Sequence, residues 1–299
     1  MSTDLALDAL IRRALEEDLG GIGDITTQVT VPANIGGSAY VVAREDGVLS
    51  GSCCVTSAFA LVDADLQVRW DAVDGDRVQP GDVVASVRGR AASILCGERV
   101  GLNLLSHCSG IATRTATLVR LVEGTGARIA DTRKTMPGLR ALEKQAVVHG
   151  GGINHRFGLF DAILVKDNHI GLGGGLACVL DRLAAHRGHL VRVEIEVDNL
   201  DQLRQVLAFD SRRVQSGRPP VVHAVLLDNM TPGQVADGVE LVRVHPTSVV
   251  VEVSGGVTED SVRALAEAGA DVISVGALTH SVTELDFGLD LRSESASSD

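Results

Sequence analysis

Aromatic side chains are scarce in this 299-residue sequence, with one Trp, one Tyr and five Phe. A core must therefore be filled by Val, Leu, Ile and Ala, which suits layered β/α structure. No run of about 18 apolar residues occurs, which excludes a membrane-spanning helix. The first residues bring no basic segment followed by an apolar stretch, so no signal peptide is expected and the chain is placed in the cytoplasm. Five cysteines (Cys53, Cys54, Cys96, Cys108, Cys178) show no CxxC or other ligand spacing. They read as buried free thiols rather than a metal site. With a formal net charge of -12, a broadly basic face would need a strongly acidic one to compensate it, so no nucleic-acid partner is expected.

Lysine is scarcer still. Of 27 Lys plus Arg, three are lysines: Lys134, Lys144 and Lys166. All fall in the segment 131–169, beside Arg133, Arg140, His155, Arg156 and His169. A sequence that elsewhere writes Arg keeps Lys where a compact ammonium does what a planar guanidinium cannot.

Residues 4–19 follow a helical period that Gly20-Gly21 stops, and 38–49 and 66–88 alternate as strands do. A long helix is predicted from Ala91 to about Leu121, with a break at Ser109-Gly110. From Arg128 onward, short apolar runs alternate with helical segments: 128–131, 162–166, 191–197, 221–228, 248–254 and 271–275. That rhythm means βα units and a parallel sheet buried on both faces. Each run closes on a polar or small residue, namely Asp131, Lys166, Glu196, Asp228, Ser254 and Gly276. In a β/α barrel such residues meet at one mouth. The tail 293–299 is polar and is expected to be disordered.

The cations form a funnel for a small, multiply charged anion: guanidinium forks grip carboxylate or phosphate at two points, and Lys adds a point charge. The loop Ser254-Gly255-Gly256, leading to a helix start at Thr258, reads as a phosphate cradle, with Gly276 one βα unit later. Glu194 and Glu196 share a strand face, so at least one must face the mouth or a cation.

At these residues the sequence resembles the decarboxylating quinolinate phosphoribosyltransferases. The resemblance runs from Glu17-Asp18 and Gly23-Asp-Ile-Thr-Thr27 through Glu98-Arg99, Ser109-Gly-Ile-Ala-Thr113 and Asp131-Thr-Arg-Lys-Thr135. It continues through Pro137-Gly-Leu-Arg140, Gly151-Gly152, His155-Arg156, Lys166-Asp-Asn-His169, Val193-Glu-Ile-Glu196, Leu227-Asp-Asn229, Glu252–Gly256 and Ser274–Thr279. It implies an N-terminal α+β domain (1–110, joined by 279–299) and an incomplete, roughly seven-stranded α/β barrel (111–278). It implies a homodimer, with Arg99 supplied across the interface. Arg99, Arg133, Lys134, His155, Arg156 and Lys166 would bind quinolinate. Glu196, Asp228, Ser254, Gly255, Gly256 and Gly276 would bind phosphoribosyl pyrophosphate, which arrives with Mg²⁺; Lys134, Glu196 and Asp228 would be catalytic.

Two readings compete outside the family. A Schiff-base aldolase using Lys134 or Lys166 explains the lysines but not Arg133, His155 and Arg156 together. A barrel that senses an anionic metabolite would bind without turnover. Within the family, a paralogue with another pyridine substrate keeps the same motifs. The lysine argument has a direct test. Lys134→Arg retains charge but loses the compact ammonium, and kcat/KM is expected to fall at least tenfold; full activity would show that charge alone suffices at this position.

Overall fold

The computed structural model describes residues 5–293; the N-terminal reading of residues 1–4 and the expected disorder of the tail from 294 lie outside the described residues. The first elements are α1 (Leu5–Leu19), α2 (Ile25–Thr30), β1 (Gly36–Ala43), β2 (Gly47–Val48), α3 (Ser52–Val62), β3 (Gln67–Trp70), β4 (Arg77–Val78), β5 (Val83–Arg90) and α4 (Ala91–Leu121). Then come β6 (Arg128–Ala130), α5 (Arg140–His149), β7 (Ile163–Val165), α6 (Asp167–Leu172), α7 (Leu176–His186), β8 (Val193–Val197) and α8 (Leu200–Gln215). The chain ends with β9 (Ala224–Asp228), α9 (Pro232–Arg243), β10 (Val250–Ser254), α10 (Glu259–Glu267), β11 (Val272–Ser274), α11 (Ala277–His280) and β12 (Phe287–Ser293).

Two compact units divide these elements. The first takes the chain up to Ala116, then Met136–Gly151, then the chain from Ser281 on. Its antiparallel sheet has the order β12-β1-β5-β3. The strand β12 pairs with β1 from Ala43↔Phe287 to Gly37↔Ser293. Aliphatic residues fill the core beneath, among them Val41, Leu49, Val55, Val87, Ile94 and Leu105, with Phe59 and Phe287 the buried rings of the cluster. This matches what the scarcity of aromatics requires.

The expected break at Ser109-Gly110 is absent, and α4 runs unbroken for 31 residues. The glycine serves packing instead of termination. A Cβ on Gly110 would lie 2.2 Å from the Thr283 carbonyl oxygen, and the Ser109 hydroxyl donates to Ser50 O at 3.0 Å. The segment 136–151 was expected in the barrel, but its contacts group it with the first unit. Glu143 accepts from His107 at 2.9 Å, Ser50 meets His149 at 2.8 Å, and Gly150 lies against Ala112 and Thr115 of α4. The cysteines are free, yet only Cys54 and Cys108 are buried; Cys178 is exposed on α7, where the apolar face is turned elsewhere.

The second unit carries a six-stranded parallel sheet of order β6-β11-β10-β9-β8-β7, and Ile153 adds an isolated parallel bridge to Ala130 on the outer side of β6. With that bridge, seven chain segments follow one another in an incomplete barrel. Every residue of β8 is buried, as a strand covered on both faces demands. Helix starts are capped: Asn199 accepts from the Gln202 amide, and Thr231 and Gln234 form a capping box ahead of α9. Buried Asp210 accepts the amides of Val221 and Val222, both at 2.8 Å, fixing the approach to β9.

Gly110 allows a prediction whose sign differs from the helix rule. In an open helix, Gly→Ala stabilises by about 1 kcal/mol. Here the added methyl meets backbone, so Gly110→Ala should destabilise by about 1–3 kcal/mol in denaturant titration; any gain in stability would contradict the packing described.

Candidate active site

The carboxyl ends of the parallel strands enclose a cavity of about 570 Å³, within the usual range for small-ligand sites. It is lined by Thr132, Arg133, Lys134, His155, Arg156, Lys166, Glu196, Asp228, Asn229, Glu252, Ser254, Gly255, Gly256 and Ser274, among others. A larger cavity, about 870 Å³, sits in the first unit around α1 and α2; the Gly23–Thr27 motif lines it, but none of the residues expected to bind substrate does.

The loop after β6 delivers Arg133 and Lys134. The Thr132 hydroxyl accepts the Lys134 amide at 3.0 Å, and the Thr279 hydroxyl donates to Lys134 O at 2.8 Å. Gly276 leaves room for the lysine stem, since a Cβ there would stand 2.9 Å from Lys134 Cδ. It is not among the cavity-lining residues, so this packing is its visible task. Arg133 Nε is buried with no hydrogen-bond partner. Burial, then the neighbouring charge of Arg133, pushes the Arg156 guanidinium below its ordinary pKa.

Lys166 is less available than the sequence implies. Its Nζ lies 2.5 Å from Glu196 Oε2, so these residues partly neutralise each other. Asp228 accepts from Asn229 Nδ2 at 2.6 Å. Asn229 is the only non-glycine at positive φ among the described residues, at 54°. Its side chain fills the space beside Gly255, where a Cβ would come within 2.3 Å of Asn229 Oδ1. Gly255 itself is at φ 93° and Gly256 at 58°. Glycine is thus required in the proposed phosphate loop. The helix start beyond it is less suited to an anion, because Glu259 and Asp260 occupy the first turn of α10. The bare loop amides, rather than the helix end, are left to meet a phosphate.

Three cations of the segment 131–169 do not line this cavity. Lys144 is 2 % exposed within α5, and Arg140 begins that helix, both in the first unit. Closeness in sequence misled here, because the segment between β6 and the Ile153 bridge changes units. His169 Nδ1 accepts the Lys166 amide at 2.9 Å and so satisfies the N-terminal end of α6. Asp131, fully buried, accepts the His155 amide at 2.8 Å and anchors the loop instead of facing the mouth. Arg99 is an exposed residue of α4 in the first unit.

Below the cations lies a buried acidic layer. Glu194 and Glu252 are 9 % and 5 % exposed, and each keeps one oxygen without a hydrogen bond. His155 Nε2 lies 3.1 Å from Glu194 Oε2 and 3.5 Å from Glu252 Oε1. These three groups could also surround a metal ion. Burial first, then the Glu194 charge, raises the Glu252 pKa to about 8, although His155 opposes the shift. Burial lowers the His155 pKa, and the hydrogen bond to Glu194 with the charges of Glu252 and Glu194 more than reverses it. That upward pull acts through Nε2. His155 Nδ1 accepts the Arg156 amide at 2.7 Å, and a proton on Nδ1 would meet that amide hydrogen head on. In this geometry Nδ1 is the acceptor of the Arg156 amide, and Nε2 is the ring atom that faces the two carboxylates.

Residues 24–109 match the quinolinate phosphoribosyl transferase N-terminal domain, and residues 111–290 match the C-terminal domain of the same family. The chain belongs to the quinolinate phosphoribosyl transferase family. Within this family it is 42% identical to the nicotinate-nucleotide pyrophosphorylase [carboxylating] of Mycobacterium leprae, over 97% of this chain and 100% of the relative. It is 39% identical to the probable nicotinate-nucleotide pyrophosphorylase [carboxylating] of Bacillus subtilis, covering 96% and 94%. The solved nicotinate-nucleotide pyrophosphorylase of Francisella tularensis superposes with a TM-score of 0.87 at 35% identity, covering 96% of each chain.

Asn229 and Glu252 belong to this site; both lie within motifs of the resemblance, which gave them no role. Asn229 gave no signal by type, because its positive φ is visible only in the backbone. Glu252 gave one: a carboxylate inside an otherwise apolar strand needs a partner, as Glu194 does.

Glu252 also ties stability to pH. A carboxyl at 4.5 in the open chain and about 8 when folded takes up a proton on folding between those values. Its contribution is greatest at low pH and is lost as pH rises through that window. Glu252→Gln has no such slope. Its stability relative to the parent should rise steadily from pH 5 to pH 8 in denaturant titrations; a constant difference would contradict the buried carboxyl.

Proposed function

We propose that this chain is a decarboxylating quinolinate phosphoribosyltransferase, a pentosyltransferase of pyridine-nucleotide biosynthesis. It joins quinolinate to phosphoribosyl pyrophosphate and yields nicotinate mononucleotide, CO₂ and pyrophosphate. One observation carries the substrate class: Arg133 holds a buried, unpartnered guanidinium N–H beside Arg156 and Lys134 in a concave site. Unpaired guanidinium donors and a nearby ammonium call for an anion with more than one charged group.

The remaining assignments follow the chemistry of each substrate. Arg133, Lys134, Arg156 and Lys166 bind the two carboxylates, joined by Arg99 from the partner of a homodimer. Ser254, Gly255 and Gly256 present backbone amides to the phosphate of the ribose moiety. Asp228 and Glu196 face the ribose hydroxyls and supply the hard oxygen donors that suit magnesium carried in by the pyrophosphate. When bound, the magnesium offsets pyrophosphate charge.

The residues do little covalent chemistry and much positioning. Departure of pyrophosphate leaves positive charge at the anomeric carbon, and Glu196 and Asp228 stabilise it. The pyridine nitrogen, held in line by the carboxylate clamps, attacks that carbon. The bond to the adjacent carboxylate then breaks: CO₂ leaves, the electron pair stays on the ring carbon beside the positively charged nitrogen, and a proton from water converts that ylide to nicotinate mononucleotide. Lys134 contacts both substrates in this reading, which the clamping of its amide by Thr132 and of its carbonyl by Thr279 supports.

The test is turnover. Purified protein with quinolinate, phosphoribosyl pyrophosphate and Mg²⁺ should release CO₂ and form nicotinate mononucleotide, while nicotinate in place of quinolinate should give no product. Product from nicotinate, or none from quinolinate, would sink the assignment.

A further inference from the structure

His155 borders the cation cavity, and sequence reasoning made it a direct ligand of the substrate carboxylates. Its contacts describe a different task. The main-chain amide of His155 donates to fully buried Asp131 at 2.8 Å. Nε2 faces Glu194 at 3.1 Å, and Nδ1 accepts the amide of Arg156 at 2.7 Å. Both ring nitrogens are therefore engaged inside the protein. A neutral imidazole has one donor and one acceptor, and here each is already used.

The neighbour on the other side of that hydrogen bond needs holding. Arg156 stands close enough to Arg133 to feel its charge, and its Nη1 reaches Ala162 O only at 3.4 Å. The residues beyond it are fixed independently, since Asp161 accepts the amides of Phe157 and Gly158. Between Asp131 on one side and Asp161 on the other, His155 Nδ1 is the acceptor for the Arg156 amide. The ring is braced from below by Glu194, which lies against Glu252.

We propose that His155 is a positioning residue: its ring links the Arg156 main chain to the buried Glu194–Glu252 layer, and substrate recognition is left to the guanidinium beside it. This deepens the proposed function, because it names which group of the His155-Arg156 pair touches the dicarboxylate. The strut holds Arg156 near Arg133 against their mutual repulsion.

Two measurements separate this inference from the functional reading. The first uses the unliganded full-length protein labelled with ¹⁵N-histidine, with His155→Ala identifying the resonance. At neutral pH the ring should be neutral and protonated on Nε2. A doubly protonated ring, or a proton on Nδ1, would overturn the proposal, as would stoichiometric zinc found by elemental analysis, since the metal would take Nε2. The second is calorimetric binding of pyridine-2,3-dicarboxylate to three proteins. His155→Ala should weaken binding at least tenfold. His155→Asn, whose Oδ1 stands where Nδ1 accepts the Arg156 amide, should recover most of that loss, while binding of phosphoribosyl pyrophosphate stays within twofold in both. If Asn were no better than Ala, the ring would be a direct ligand. An enzyme that showed the expected tautomer and rescue but no turnover would keep this inference and lose the proposed reaction.

Discussion

Arg133 and Arg156 repel one another in the mouth of the second unit, and much of the surrounding structure exists to hold them there. The charges of Asp161 and Glu194 offset part of this at Arg156, while Arg133 keeps a buried donor unpaired. Such an arrangement costs stability unless an anion completes it. The protein as a whole is strongly acidic, so this patch is a local reversal of its charge. A site assembled against its own electrostatics points to selection for a ligand rather than for the fold.

The supports are arranged in layers. At the mouth, Lys166 is balanced by Glu196, and Asp228 is fixed by Asn229. One layer deeper, Glu194 and Glu252 face His155. Both levels draw on the period-two geometry of β8, whose Glu194 and Glu196 point to the same side at different depths. One strand thus provides a carboxylate for the substrate layer and another for the bracing layer. The backbone irregularities fall in the same place, with Asn229 at positive φ against Gly255. Strain of this kind is retained where surrounding contacts enforce it.

Much of this was legible in the sequence, for identifiable reasons. The parallel strands announced themselves because two-sided burial leaves apolar runs such as Ala224–Asp228 and Val272–Ser274, polar only at their ends. The mouth residues were legible because strand ends in a β/α barrel are aligned by topology. Other features depend on contacts between residues far apart in sequence. Gly110 looked like a helix break, and only Thr283 explains it. Lys144 looked like a site lysine, yet α5 packs with the first unit and buries it. The tautomer of His155 depends on an amide one residue away and a carboxylate on another strand, and neither could be read from a lone histidine after a glycine run.

The central claim is that paired guanidinium groups recognise a dicarboxylate. Equilibrium titration of quinolinate and of nicotinate, each into the parent protein and into Arg133→Ala, tests it without requiring turnover. Quinolinate should bind the parent at least tenfold tighter than nicotinate, a difference of about 1.4 kcal/mol, and Arg133→Ala should erase most of that preference. Equal binding of the two acids by the parent, or a preference that survives loss of Arg133, would contradict the account.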